Sequence, residues 1–130
     1  MSLGGELYGC KLLPDKEVES FSPILIYPNI FVLCPLQFSF GGSVDHDPHM
    51  LYTLSAIQIL ALCNQLHRVD GLKVANFISS LQQPDGSFYG DKWGETDTRF
   101  SYCALSTMSI LGRLQTQEID VLKAVAYVGR

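Results

Sequence analysis

Arg99 stands where an apolar helical run without charges begins, and Asp85, Asp91, Glu95 and Asp97 lie in the loop just before it. A guanidinium in that place must find an acidic or phosphate partner, because it keeps its charge under all ordinary conditions. Two chemistries are open to it: a structural ion pair with Glu95 or Asp97, or recognition of an anionic ligand. Tyr102 shares its helix face at i, i+3, so the two side chains would meet the same surroundings. The carboxylates do not follow the twelve-residue order of a calcium loop, and turn formation, capping and solvation account for them. His46 and His49 bracket a helix start instead of sharing a helix face, and no nearby cysteine completes a metal site. Leu54, in an earlier apolar helix, reads on composition as core packing.

The elements that must position these residues follow from breakers and periodicity. Asp47 as a cap and Pro48 at the first helical position predict a helix from residue 47 to about Leu66, apolar or small nearly all round between Met50 and Cys63 and so buried on most sides. Asp70 caps a second helix whose Val74, Phe77, Ile78 and Leu81 recur at i, i+3, i+4, i+7. Pro84-Asp85-Gly86 forces a turn after Gln83, and Thr96 or Asp97 caps a third helix, apolar from Phe100 to Leu111 and stopped at Gly112. A fourth, amphipathic segment covers 119–128. Sliding the chain by about fifty residues sets Leu54-Ser55 on Leu105-Ser106 and Val74-Ala75 on Val125-Ala126, which predicts a helix-pair repeat in two layers. Two such pairs cannot close a ring, so apolar edges are expected to remain.

Composition narrows the class. With 130 residues, 47% of them hydrophobic and 17% charged, the chain is globular and long enough for one domain. A net charge of -4 without a basic stripe gives nucleic acid no electrostatic footing. The cysteines at 10, 34, 63 and 103 lack CxxC spacing, as expected of free thiols in a reducing cytosol. The start lacks a signal-peptide pattern, and the uncharged stretch 21–44 is interrupted by Pro23, Pro28 and Pro35, so no membrane span is expected. Residues 1–44 therefore read as an irregular apolar leader before a repeat region at 45–130.

Three linked pieces carry a family resemblance: His46-Asp47-Pro48-His49, the turn formed by Gln82, Asp85, Gly86, Ser87 and Phe88, and the run Trp93-Gly94-Glu95 with Asp97-Thr98-Arg99-Phe100-Ser101. From about Gly41 onward the chain resembles the β subunits of protein prenyltransferases, and most closely the Rab geranylgeranyltransferase type. The resemblance implies an all-α fold, a partial α/α barrel (toroid) of helix-pair repeats around a lipid-lined cavity. It implies that Leu54, Arg99 and Tyr102 face the isoprenoid chain of geranylgeranyl diphosphate. It further implies a cytoplasmic partnership with an α subunit and, in the full-length enzyme, with Rab proteins delivered by an escort protein. The family's zinc ligands, an aspartate, a cysteine and a histidine, belong to later repeats, so no position here is assigned to them and this chain alone is expected to be non-catalytic. The alternatives are a non-catalytic short product that at most binds the α subunit, or a segment of another prenyltransferase β subunit. A terpene-cyclase relative shares the turn but would need an Asp-rich proton donor in an inner helix, and none is seen.

Overall fold

The structure, a computed structural model, describes residues 32–34, 39–42 and 46–130. Among the described residues the structure is helical apart from one short strand pair: β1 (Val32–Cys34), β2 (Ser39–Gly41), α1 (Met50–Leu62), α2 (Gly71–Leu81), α3 (Thr98–Ile110) and α4 (Val121–Val128), with a 3₁₀ turn at Leu66–Arg68. The helix-pair toroid architecture expected from the sequence is present as two pairs, α1 with α2 and α3 with α4. Among the described residues no helix is long and apolar enough to cross a membrane. The expectation for residues 1–31 lies outside the described residues.

The antiparallel strands, in register Val32 with Gly41, fall inside the stretch expected to be irregular. What holds β2 is α1. Phe40 O accepts from His49 N at 3.0 Å, and Thr53 Oγ1 donates to His49 O at 2.9 Å, which leaves Ser39 Oγ to donate to Thr53 at 2.6 Å. Ser39 and Thr53 are both fully buried, so this chain of hydroxyls satisfies groups that would otherwise be costly.

Two boundaries differ from expectation, each for a local reason, and a third is settled between two candidates. Helix α1 is capped by His49, not Asp47: His49 is extended and its Nδ1 accepts from Leu51 N at 3.1 Å. Asp47 is drawn away to the loop, where Lys92 Nζ and Trp93 Nε1 donate to it at 2.6 and 3.0 Å, so Pro48 lies before the cap instead of after it. The same helix ends at Leu62 instead of near Leu66, because Asn64 turns left-handed at φ 55° and Gln65 N closes back on Leu60 O at 2.7 Å. Of the two candidates for α3, Asp97 is the cap, accepting from Arg99 N at 2.7 Å, while Thr96 bridges Tyr89. Asp70 caps α2 as expected, accepting from Leu72 N and Lys73 N.

The main helix contact is α1 on α3. A single core joins Met50 and Leu54 of α1, Val74, Ala75, Ile78 and Leu81 of α2, Phe88 of the loop, Phe100, Cys103, Ala104 and Met108 of α3, and Ala124 of α4. A smaller cluster seats Phe40 on Ala56 and Ile57. Helix α1 is less covered than its composition suggests: α3 and β2 take two sides, and Leu51, Tyr52, Gln58 and Leu62 stay exposed.

Candidate functional site

The loop between α2 and α3 is fixed at both ends, and this fixes where Arg99 emerges. Gln82 leaves α2 and grips α4: its Nε2 donates to Asp120 O at 2.9 Å, and its Oε1 accepts from Asp120 N at 2.7 Å. Ser79 Oγ donates to Glu118 O beside it. Asp85 then closes the turn by accepting from Ser87 N and Ser87 Oγ, at 3.0 and 2.7 Å, which holds its carboxyl below the usual aspartate range. Gly86 takes φ 92°, and a Cβ there would collide with the carbonyl of Lys123, so the turn lies directly on α4. Phe88 is fully buried beneath it.

At its far end the loop meets the start of α1. Gly90 O accepts from Met50 N at 2.7 Å, and any Cβ on Gly90 would stand 2.7 Å from the Phe100 ring and 2.8 Å from His49 Nε2. The His49 ring meets Phe100 edge-on at 5.5 Å. Lys92 and Trp93 together clasp Asp47, and Lys92 Nζ lies 5.0 Å from the Trp93 ring centre. The Lys92 bond first, and then the Trp93 bond, hold the Asp47 carboxyl below its ordinary value. These residues set the loop; the sequence points to Trp93 as a residue that pins it, but not to Asp47 as the group that Trp93 and Lys92 hold. The nearest signal was the uncommon density of turn formers around the chain's single tryptophan.

Arg99 projects from the first turn of α3 with its side chain 65% exposed, and its guanidinium pairs with Asp97 Oδ2 at 3.0 Å. Asp97 therefore has two duties: one oxygen caps the helix and the other meets the arginine. The Arg99 side chain, more than the backbone amide, lowers the Asp97 carboxyl, and Asp97 in turn holds the guanidinium more firmly protonated. This is the ion pair of the plainer reading, but it is not a closed one. The side chain as a whole remains accessible to solvent.

Tyr102 lies one turn on and is 63% exposed, so Arg99 and Tyr102 do share an accessible face. Leu54 is placed differently, 6% exposed within the main core. Cys103 is buried and its thiol is pushed up by that burial, which disfavours the thiolate that a nucleophile or metal ligand needs. Among the described residues no three His, Cys, Asp or Glu side chains come together as a metal ion would need.

Residues 11–130 match the family described as the prenyltransferase alpha-alpha toroid domain, a range that takes in much of the leader as well as both helix pairs. The chain is 49% identical over 85 residues to the geranylgeranyl transferase type-2 subunit beta of Saccharomyces cerevisiae, covering 63% of this chain and 26% of that protein. It is 43% identical over 97 residues to the Candida albicans protein of the same name, covering 66% of this chain and 28% of the relative. To the protein farnesyltransferase subunit beta of Saccharomyces cerevisiae it is 34% identical over 99 residues, covering 72% of this chain and 23% of the relative. The chain thus spans about a quarter of the length of the curated relatives it matches.

Proposed function

We propose that this chain, which belongs to the prenyltransferase alpha-alpha toroid family, is a segment of the β subunit of a Rab geranylgeranyltransferase. The observation that carries this reading is the gap in identity: 49% and 43% to two type-2 geranylgeranyl transferase β subunits against 34% to a farnesyltransferase β subunit. On this reading the complete subunit works with an α subunit and moves a geranylgeranyl group from its diphosphate to C-terminal cysteines of Rab proteins brought by an escort protein. Arg99, Tyr102 and Leu54 belong to the wall of the isoprenoid cavity. The exposed side chain of Arg99 supports that assignment, because it keeps a permanent cation within reach of an anionic lipid head.

The zinc of the full-length enzyme, which would hold the substrate cysteine as thiolate, is bound by residues outside this segment. No step is assigned to it here. The isolated chain is accordingly non-catalytic, and adding zinc to it leaves its thermal midpoint unmoved; a zinc-dependent rise would reveal a site and overturn that statement.

The test of the cavity assignment is Arg99→Ala in the complete subunit assembled with its α subunit. Affinity for geranylgeranyl diphosphate and turnover should both fall. Unchanged values would leave Arg99 as the partner of Asp97 and nothing more.

A further inference from the structure

The two inner helices repeat with a period that burial reveals more sharply than sequence. Shifting residues 53–60 by fifty-one places them on 104–111, and the succession of buried, half-buried and exposed positions agrees at every place except Leu54 against Leu105. Ala56 and Ile57 match Thr107 and Met108 as buried, Gln58 matches Ser109 as exposed, and Ser55 matches Ser106 between the two. Extended toward the helix start, the same register parts at exposed Tyr52 against buried Cys103 and agrees again at Leu51 against Tyr102. Both are large and apolar in body, and both are accessible, Leu51 at 37%.

On each helix a stripe of exposed and half-buried positions recurs at helical spacing, Leu51, Ser55 and Gln58 on α1 and Tyr102, Ser106 and Ser109 on α3, with Tyr52 of α1 exposed beside it. The helices pack side by side, so the stripes belong to adjoining surfaces. Neither helix carries a charge beyond Arg99 at the start of α3. The outer helices differ. Their equivalent exposed leucines, Leu72 and Leu122, each neighbour an exposed lysine, Lys73 and Lys123, as a solvated face requires.

A bulky apolar side chain repeated at one level of two adjoining uncharged stripes, with a guanidinium one turn above, suits an amphiphile with an anionic head and an apolar tail. Resting on the function proposed above, we infer that Leu51 is the α1 counterpart of Tyr102 in the wall of the prenyl cavity and sets the room available to the lipid chain there. Leu54, one turn further on, continues this wall into the core, where it is anchored.

The test compares Leu51→Trp, Leu51→Ala and Tyr102→Ala in the complete subunit with its α subunit, by titration with geranylgeranyl diphosphate. Leu51→Trp narrows the space and should weaken binding at least about tenfold, and Leu51→Ala, which cannot clash, should weaken it through lost apolar contact. Tyr102→Ala should act in the same direction. Loss with Tyr102→Ala but none with either Leu51 variant overturns the inference and leaves the proposed function standing. No loss with any of the three overturns both. Loss with the Leu51 variants alone also overturns the inference, because it would show the two positions not to be equivalent.

Discussion

The outer helix of the first pair is covered along a face that the outer helix of the second pair leaves exposed. Outer helices α2 and α4 both start from an aspartate cap, Asp70 and Asp120, and both continue with Leu-Lys and then an aromatic, Phe77 or Tyr127. Fifty residues apart, the burial of 71–77 and 121–127 agrees everywhere but at one place. There Ala75 is fully buried while Val125 is 58% exposed, and one turn later Ile78 is fully buried while Val128 is 54% exposed. The two pairs have the same plan and differ in what lies against them. After α2 come the clamp of Gln82 on Asp120, the turn at Gly86 seated on Lys123, and Phe88 beneath it, so the outer helix of one pair is completed by the turn that follows and by the outer helix of the next. A repeat of this kind is stable through its neighbours, not by itself.

Five changes would break or sharpen that comparison. Ile78→Ala should lower unfolding stability by roughly 2–5 kcal/mol, as a cavity in a closed core does, while Val128→Ala should stay within about 0.5 kcal/mol. Equal losses in urea unfolding would mean that the second pair is as covered as the first. Gly86→Ala should cost roughly 1–3 kcal/mol from its left-handed backbone alone, and its collision with Lys123 should loosen α4 selectively, seen as faster amide exchange in 121–128 than in 71–81.

Smaller in effect, Gln82→Ala removes the two bonds between the pairs and should cost about 1–2 kcal/mol, again with α4 more affected than α2. The smallest effect is electrostatic. Because Lys92 and Trp93 lower the Asp47 carboxyl, its contribution is present above the ordinary aspartate value of 3.8 and is lost as pH falls through the lower folded value. Trp93 should report this directly: its emission should shift below about pH 4 in the native protein, and Asp47→Asn should abolish that acid step. A tryptophan signal indifferent to both would remove Asp47 from the loop clasp.

Much of the fold was legible in the chain. The four helices, the caps at Asp70 and Asp97, the turn after Gln83 and the pairing of helices into a repeat each rest on short-range chemistry: periodicity, a capping oxygen next to free amides, a proline that cannot donate. Site residues were legible only in part. Arg99 and Tyr102 share a face because three residues make almost a turn, and the structure leaves both open. That Asp97 would use both oxygens, one on Arg99 N and one on its guanidinium, was not readable, because Glu95 competed for the same role. The repeat itself was read one residue out of register in its outer helix, where Val74 aligns with Ala124 and not Val125. The inner helices match at a shift of fifty-one residues and the outer helices at fifty, so one residue is lost between equivalent positions of the second pair, and a small apolar residue next to another gives periodicity little to choose between.

What the sequence determined by itself is therefore the local plan: where helices start, which stripe of each is apolar, and that the plan occurs twice. Tertiary structure decided the competitions. Asp47 is the better helix cap by chemistry, yet Lys92 and Trp93, far along the chain, claim both its oxygens and leave the cap to His49. Leu51 and Leu54 are the same residue type one turn apart, and only the packing of α3 and β2 on α1 buries one and leaves the other open. Such choices turn on which distant group arrives at a site and how much of it is covered, and a capping preference or a hydrophobic period carries no information about either.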